Sequence, residues 1–122
     1  DNEKRRQLAQ HYMVNLIESQ VCLPVVRMNS VSVFHLFVLQ IENRQEFLEF
    51  LLSKGIQAGV HYPVPVHLQP VYKGRVSTAS DMSVTESITD RIISLPMYPE
   101  LSIQDAEKIT NTIKSFFKKA AE

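Results

Sequence analysis

Between His61 and Tyr72 the chain reads His61-Tyr62-Pro63-Val64-Pro65-Val66-His67-Leu68-Gln69-Pro70-Val71-Tyr72, interleaving two imidazoles, two phenols and an amide with three prolines. Proline fixes its own backbone torsion and lowers the entropy lost when nearby side chains are held in place. Groups presented this way suit hydrogen bonding to a ligand that carries many hydroxyls. The segment also follows a predicted strand, a common position for functional loops. A structural loop whose aromatic residues close a core has the same composition, and both readings stand at this point.

Other chemistry is poorly served. His61 and His67 lie six positions apart with no cysteine or carboxylate between them, so a metal site would need distant ligands. Cys22, beside Leu23 and Pro24, reads as a small buried hydrophobe rather than a nucleophile. His35 sits within an apolar run and is expected to be a hydrogen-bonded core histidine. Asp105 and Glu107 read as solvated first-turn helix residues, and Lys118 and Lys119 as solvent-facing. The glycines at 55, 59 and 74 are too scattered for a phosphate-cradling loop.

Several elements must position the loop. Leu8, Tyr12 and Leu16, flanked by Ala9, Met13 and Ile17, predict an amphipathic helix from Glu3 to Glu18. The run Val31–Ile41 is rich in β-branched and aromatic residues and predicts a central strand buried on both faces. Asn43, with Glu46 three residues on, predicts a reciprocally capped helix carrying Phe47, Leu48, Phe50 and Leu51, ended by Gly55. Ile56, Ala58 and Val60 alternate as a short strand. His61 to Ser80 is then irregular. A helix is expected from Ser83 to Ile93, on the spacing of Val84, Ile88, Ile92 and Leu95. Pro96 and Pro99 frame Met97 and Tyr98 as a short edge strand. Ser102 and Asp105 predict the cap of a last helix, buried through Ala106, Ile109, Ile113, Phe116 and Phe117. Helices on a small mixed or antiparallel sheet make a two-layer α+β domain.

Thirteen basic residues balance thirteen acidic ones, which gives no global field for nucleic acid or an anionic membrane. No apolar run reaches spanning length. The single cysteine fits a reducing compartment, so a cytoplasmic location is expected. The polar run Asp1–Gln7 does not match a secretory leader, and a chain that opens at Asp1 inside a predicted helix fits a segment of a longer protein.

Taken in order, the pieces resemble the C-terminal portion of the DegT/DnrJ/EryC1/StrS family, pyridoxal-phosphate-dependent nucleotide-sugar aminotransferases. Arg5-Arg6-Gln7-Leu8-Ala9 with Tyr12 resembles the helix between that family's two domains, and Phe34–Val38 the first strand of its small domain. Asn43-Arg44, Phe47-Leu48 and Gly55-Ile56 resemble the helix that follows. His61–Pro70 is the most specific match, and Thr85-Glu86 and Ser94–Leu101 complete it.

The resemblance implies that residues 1–122 form the small domain of a fold-type-I aminotransferase, with 1–20 a linking helix toward an absent large domain and 31–122 the core. It implies a homodimer, when complete, that passes an amino group from glutamate to a nucleotide-linked keto sugar through pyridoxal phosphate. The Schiff-base lysine and the aspartate that pairs with the cofactor's pyridine nitrogen belong to the absent domain. This chain alone is therefore expected to bind no cofactor and to be inactive. His61, Tyr62 and His67 match the loop that approaches the substrate, with His67 the foremost contact to sugar or phosphate and His61 or Tyr62 shaping the wall. Gln69 is a further substrate-binding candidate. Pro-x-Pro-x-His followed by Leu-Gln points to the branch that makes 3-amino sugars. The pattern departs at Ser83, where a proline often precedes the helix, and Lys73–Met82 is not distinctive. Loss of the large domain should expose apolar residues such as Tyr12, Ile17 and Val64 and favour self-association. Two other readings are an autonomous α+β binding or regulatory module without catalysis and a ferredoxin-like interaction domain.

Overall fold

The computed structural model of the chain describes residues 1–79 and 81–122. In chain order it contains α1 (Asn2–Leu16), β1 (Phe37–Gln40), α2 (Arg44–Ser53), a 3-10 turn (Val66–Leu68), α3 (Ser83–Thr89), β2 (Ile92–Leu95) and α4 (Ile103–Ala121). The architecture is α+β, with α1, α2 and α4 on one face of a small antiparallel sheet. β1 and β2 pair in the register Phe37↔Leu95, Val38↔Ser94, Leu39↔Ile93 and Gln40↔Ile92. Single-residue antiparallel bridges extend each edge, Cys22 to Gln40 beside β1 and Gly59 to Ser94 beside β2.

Side chains alternate across a strand, so Phe37, Leu39 and Ile41 point to one layer, joined by Ile93, Leu95 and Met97. Over them lie Leu8, Ala9, Tyr12 and Leu16 of α1, Phe47 and Leu51 of α2, and Ala106, Ile109, Ile113 and Phe116 of α4. α1 and α2 both pack on α4. The aromatic rings interlock, Tyr12 against Phe37 at 5.0 Å and Phe47 edge-on to Phe116 at 5.1 Å. Among the described residues no helix is long and apolar enough to cross a membrane.

Two helix ends follow the sequence closely. Asp105 N–H donates to Ser102 Oγ at 3.0 Å and Ser102 Oγ–H to Asp105 Oδ2 at 2.8 Å, which caps α4. The Ser102 bond and the Lys108 ammonium hold the Asp105 carboxyl below its ordinary pKa. At the end of α2, Gly55 takes φ +77°, with Gly55 N–H bonded to Leu52 O and Ile56 N–H to Leu51 O. That pairing satisfies carbonyls the helix leaves open, and it needs a left-handed residue.

Elsewhere the structure corrects the reading. The expected strand 31–41 shrinks to 37–40, and its burial alternates instead of covering both faces. Phe34 at φ +47° turns the chain just before β1, and Arg5 gathers the carbonyls of His35 (3.1 Å) and Met97 (3.0 Å), which therefore need no ladder partner. The expected strand 56–60 reduces to the Gly59 bridge. α3 stops at Thr89, and Ile92–Leu95 is a strand rather than helix; the edge strand at Met97–Tyr98 is absent, its place taken by β2. A short apolar run satisfies both periodicities, and pairing with β1 decided it.

Asn43 stands at the start of α2 but makes no side-chain cap; its ψ of 57° departs from the extended conformation that aims a capping side chain. The start of α3 is served by Asp81, whose carboxylate accepts from Ser83 N–H at 2.9 Å. Cys22 is exposed, not buried, because it lies on the sheet edge. His35 is exposed rather than a core histidine. Tyr12 is fully buried under β1, contrary to an exposed docking role, whereas Ile17 and Val64 do face outward. The irregular stretch from His61 is as expected apart from its 3-10 turn; Ser80, at its end, lies outside the described residues.

Candidate functional site

The Pro-rich loop leaves the sheet at Gly59, whose N–H donates to Ser94 O at 3.0 Å and whose carbonyl accepts from Ser94 N–H at 2.8 Å. The next anchor is a side chain. His61 Nδ1 lies 2.9 Å from Ser94 Oγ, and its ring rests on Gly59, where an added Cβ would come within 2.9 Å of His61 Cε1. Any side chain at 59 would therefore displace the His61 ring from this position. Tyr62 stacks edge-on against His61 at 5.5 Å and is 70% exposed.

His67 sits in the 3-10 turn, framed by Pro65 and Gln69, both in extended conformations. Its Nε2 lies 2.9 Å from Glu86 Oε1 in the first turn of α3. The His67 side chain is only 11% exposed and that of Glu86 48%. Gln69 is half-buried, and its carbonyl accepts from Tyr72 N–H and Lys73 N–H, both at 2.9 Å. Its side chain makes no protein hydrogen bond among the described residues.

The candidates therefore form two groups. His61 leans on β2 with Tyr62 against its ring, while His67 leans on α3, and no hydrogen bond joins the two groups among the described residues. Between and beyond them Val64, Val66, Leu68, Val71 and Tyr72 are exposed. The loop is not folded into the domain's own interior.

α3 is itself braced. Arg44, in the first turn of α2, donates to the carbonyls of Thr89 and Ile92, and Thr89 Oγ1 donates to Thr85 O at 2.7 Å. The helix that carries Glu86 is thus tied to the start of β2.

Sequence reasoning missed Ser94 and Glu86 as the partners of the two imidazoles. Sequence separations of 33 and 19 leave no periodic signal. The match of Thr85-Glu86 to the family was the one available clue.

Beside His61 the surface has a depression of about 340 Å³ lined by Leu36, Gln57, Ser94 and Met97 among others. Larger hollows of about 590 Å³ near Asn15 and Lys114 and about 560 Å³ near Lys54 and Lys108 lie away from the loop. Among the described residues no three metal-ligating side chains gather. Lys4, Lys54, Lys73, Lys108, Lys118 and Lys119 are exposed and Lys114 is half-buried, and the glycines form no phosphate cradle.

The chain resembles known proteins over almost all its length. The erythromycin biosynthesis sensory transduction protein EryC1 of Saccharopolyspora erythraea is 37% identical over 115 residues, covering 93% of this chain and 31% of that protein. The dTDP-3-amino-3,4,6-trideoxy-α-D-glucose transaminase of Streptomyces venezuelae is 33% identical over 116 residues, covering 94% and 31%. The crystal structure of DesV from S. venezuelae, in complex with ketimine intermediate, superposes with a TM-score of 0.87 at 33% identity, again over 94% and 31%. The chain thus spans under a third of the length of these relatives. Residues 1–114 match the DegT/DnrJ/EryC1/StrS aminotransferase family, and the chain belongs to it.

Proposed function

We propose that this chain is the small domain of a nucleotide-sugar aminotransferase and that its loop from His61 to Tyr72 walls the substrate side of the active site. The observation that carries this reading is the loop itself: exposed, stiffened by prolines, and holding an imidazole fixed at one nitrogen only. In this reading His67 hydrogen-bonds the sugar nucleotide, Tyr62 lies against it, and Gln69 offers its unbonded amide. His61 supports the wall through Ser94. α1, which shares the core of the domain, continues toward the large domain, and Ile17 and Val64 belong to the surface that domain covers.

In the complete polypeptide, a homodimer working in the cytoplasm, glutamate would supply the amino group and a nucleotide-linked keto sugar would accept it. Pyridoxal phosphate, when bound, supplies the electron sink for such a transfer. In this reading the residues that hold it lie in the large domain, and this chain alone does not transaminate. Its own residues contribute binding, orientation and exclusion of water. The 3-amino sugars named in one relative favour that substrate branch.

In the complete polypeptide, His67→Ala should raise KM for the sugar nucleotide by roughly tenfold or more, as loss of a hydrogen bond to a charged or oriented group does. Unchanged kinetics would remove His67 from the site. Incubation of this chain with pyridoxal phosphate and borohydride should label no single lysine stoichiometrically. One such labelled lysine would overturn the reading.

A regulatory module without catalysis is the second reading, favoured by the sensory-transduction name of one relative. It would gain if the complete polypeptide proved unable to transaminate.

A further inference from the structure

We propose that Glu86 is the positioning residue of His67: its carboxylate fixes the imidazole through Nε2 and leaves Nδ1 as the one atom the ring offers to a ligand hydroxyl. The identity of that ligand as a sugar nucleotide rests on the function proposed above. The orientation of the ring does not.

A carboxylate has acceptor sites and no donor, so the nitrogen 2.9 Å from Glu86 Oε1 must carry the hydrogen. In the neutral ring the other nitrogen then has a lone pair and no hydrogen. Nδ1 makes no hydrogen bond to protein among the described residues, although the side chain is 89% covered. An acceptor that meets no protein donor and is not sealed from solvent is open to a hydroxyl donor. A phosphate oxygen, an acceptor itself, would face the wrong atom unless the ring took up a second proton.

The geometry also says why a helix supplies the carboxylate. His67 stands in a loop, and the one side-chain hydrogen bond its ring makes among the described residues comes from α3 rather than from that loop. Glu86 stands on α3, and Arg44 binds the end of α3 to the first residue of β2. The ring is thereby referred to the sheet rather than to its own loop. A hydrogen bond to a half-exposed carboxylate adds little to stability, so its consequence here is direction.

The test begins with this chain labelled with ¹⁵N at histidine, observed at pH 8. His67, assigned by comparison with His67→Gln, should show the Nε2–H tautomer, with an Nε2 proton protected from solvent exchange. Glu86→Ala should abolish that protected proton, and Glu86→Gln, which retains an acceptor oxygen, should restore part of it. An Nδ1–H tautomer, a doubly protonated ring, or a protected proton that survives Glu86→Ala would overturn the proposal. The spectrum of the unsubstituted chain decides the tautomer even if a variant fails to fold.

In the complete polypeptide, Glu86→Ala should raise KM for the sugar nucleotide roughly threefold to tenfold with kcat little changed, and should have no further effect in a His67→Ala background. Additive losses would overturn the positioning role. If the tautomer is as stated but His67→Ala leaves KM alone, the ring's orientation stands and the sugar-nucleotide reading falls.

Discussion

The Tyr12 hydroxyl donates to the Pro96 carbonyl at 2.8 Å, which ties the middle of α1 to the residue that ends β2. Pro96 follows the strand, and its carbonyl would otherwise be a partly buried acceptor without a ladder partner. The ring beneath that hydroxyl packs on Phe37 at 5.0 Å. One side chain therefore contributes apolar area to the core and satisfies the sheet's exit.

Burial, reinforced by the nearby Tyr98 phenol, pushes the Tyr12 phenol well above its ordinary pKa. The unfolded chain then releases this proton at lower pH than the folded one, so stability is full below about pH 10 and falls as pH rises further. Tyr12→Phe should flatten that alkaline decline and cost about 1 kcal/mol at neutral pH, from the lost hydrogen bond. Urea midpoints collected from pH 7 to 11 check both effects.

Arg44→Met should destabilise the chain by about 1–3 kcal/mol, because the carbonyls of Thr89 and Ile92 lose a charged donor. Amide exchange should quicken first in α3. Equal acceleration across α1 and α4 would contradict a local brace.

Phe47→Ala should be the most damaging of these changes, at about 3–5 kcal/mol. Phe47 is fully buried and contacts Phe116 and Phe117 with ring centroids at 5.1 and 6.2 Å. A fall in urea midpoint with unchanged slope is the expected signature.

Ser102→Ala should cost about 1 kcal/mol by opening the first turn of α4. The Asp105 carboxyl, held low by Ser102 and Lys108, adds stability that is present above its unfolded pKa and lost as pH falls through the folded value. The variant should therefore show a shallower acid decline, read from thermal melts between pH 2 and 6.

Glu86→Ala should change stability by less than about 1 kcal/mol, since the carboxylate is half exposed. A thermal melt close to that of the parent chain, beside an altered His67 spectrum, separates orientation from folding.

These cases show where the fold was legible. α4 could be read because its stripe, from Ala106 to Phe116, its Ser102 cap and its terminal lysines all agree with the helical period. Gly55 could be read because its backbone geometry excludes most other residues. Asn43 misled, since capping depends on a torsion that composition does not fix. Ile92 and Leu95 misled because helix and strand periods overlap over so few residues. Cys22 and His35 misled because hydrophobic neighbours do not guarantee burial where the sheet is narrow. The loop could be recognised from its residues, but Ser94 and Glu86 could not, because each contact joins the loop to an element 33 or 19 residues on, with no periodic signal between them.

His67 and Glu86 touch across a separation of 19 residues, and the stretch 70–79 between them joins no helix or strand. A tether closed at both ends tolerates insertions, since doubling a flexible segment costs only roughly 0.6 kcal/mol. Evolution can thus rewrite the span while the imidazole keeps its bearing, and the surface beside it can drift without renegotiating the scaffold.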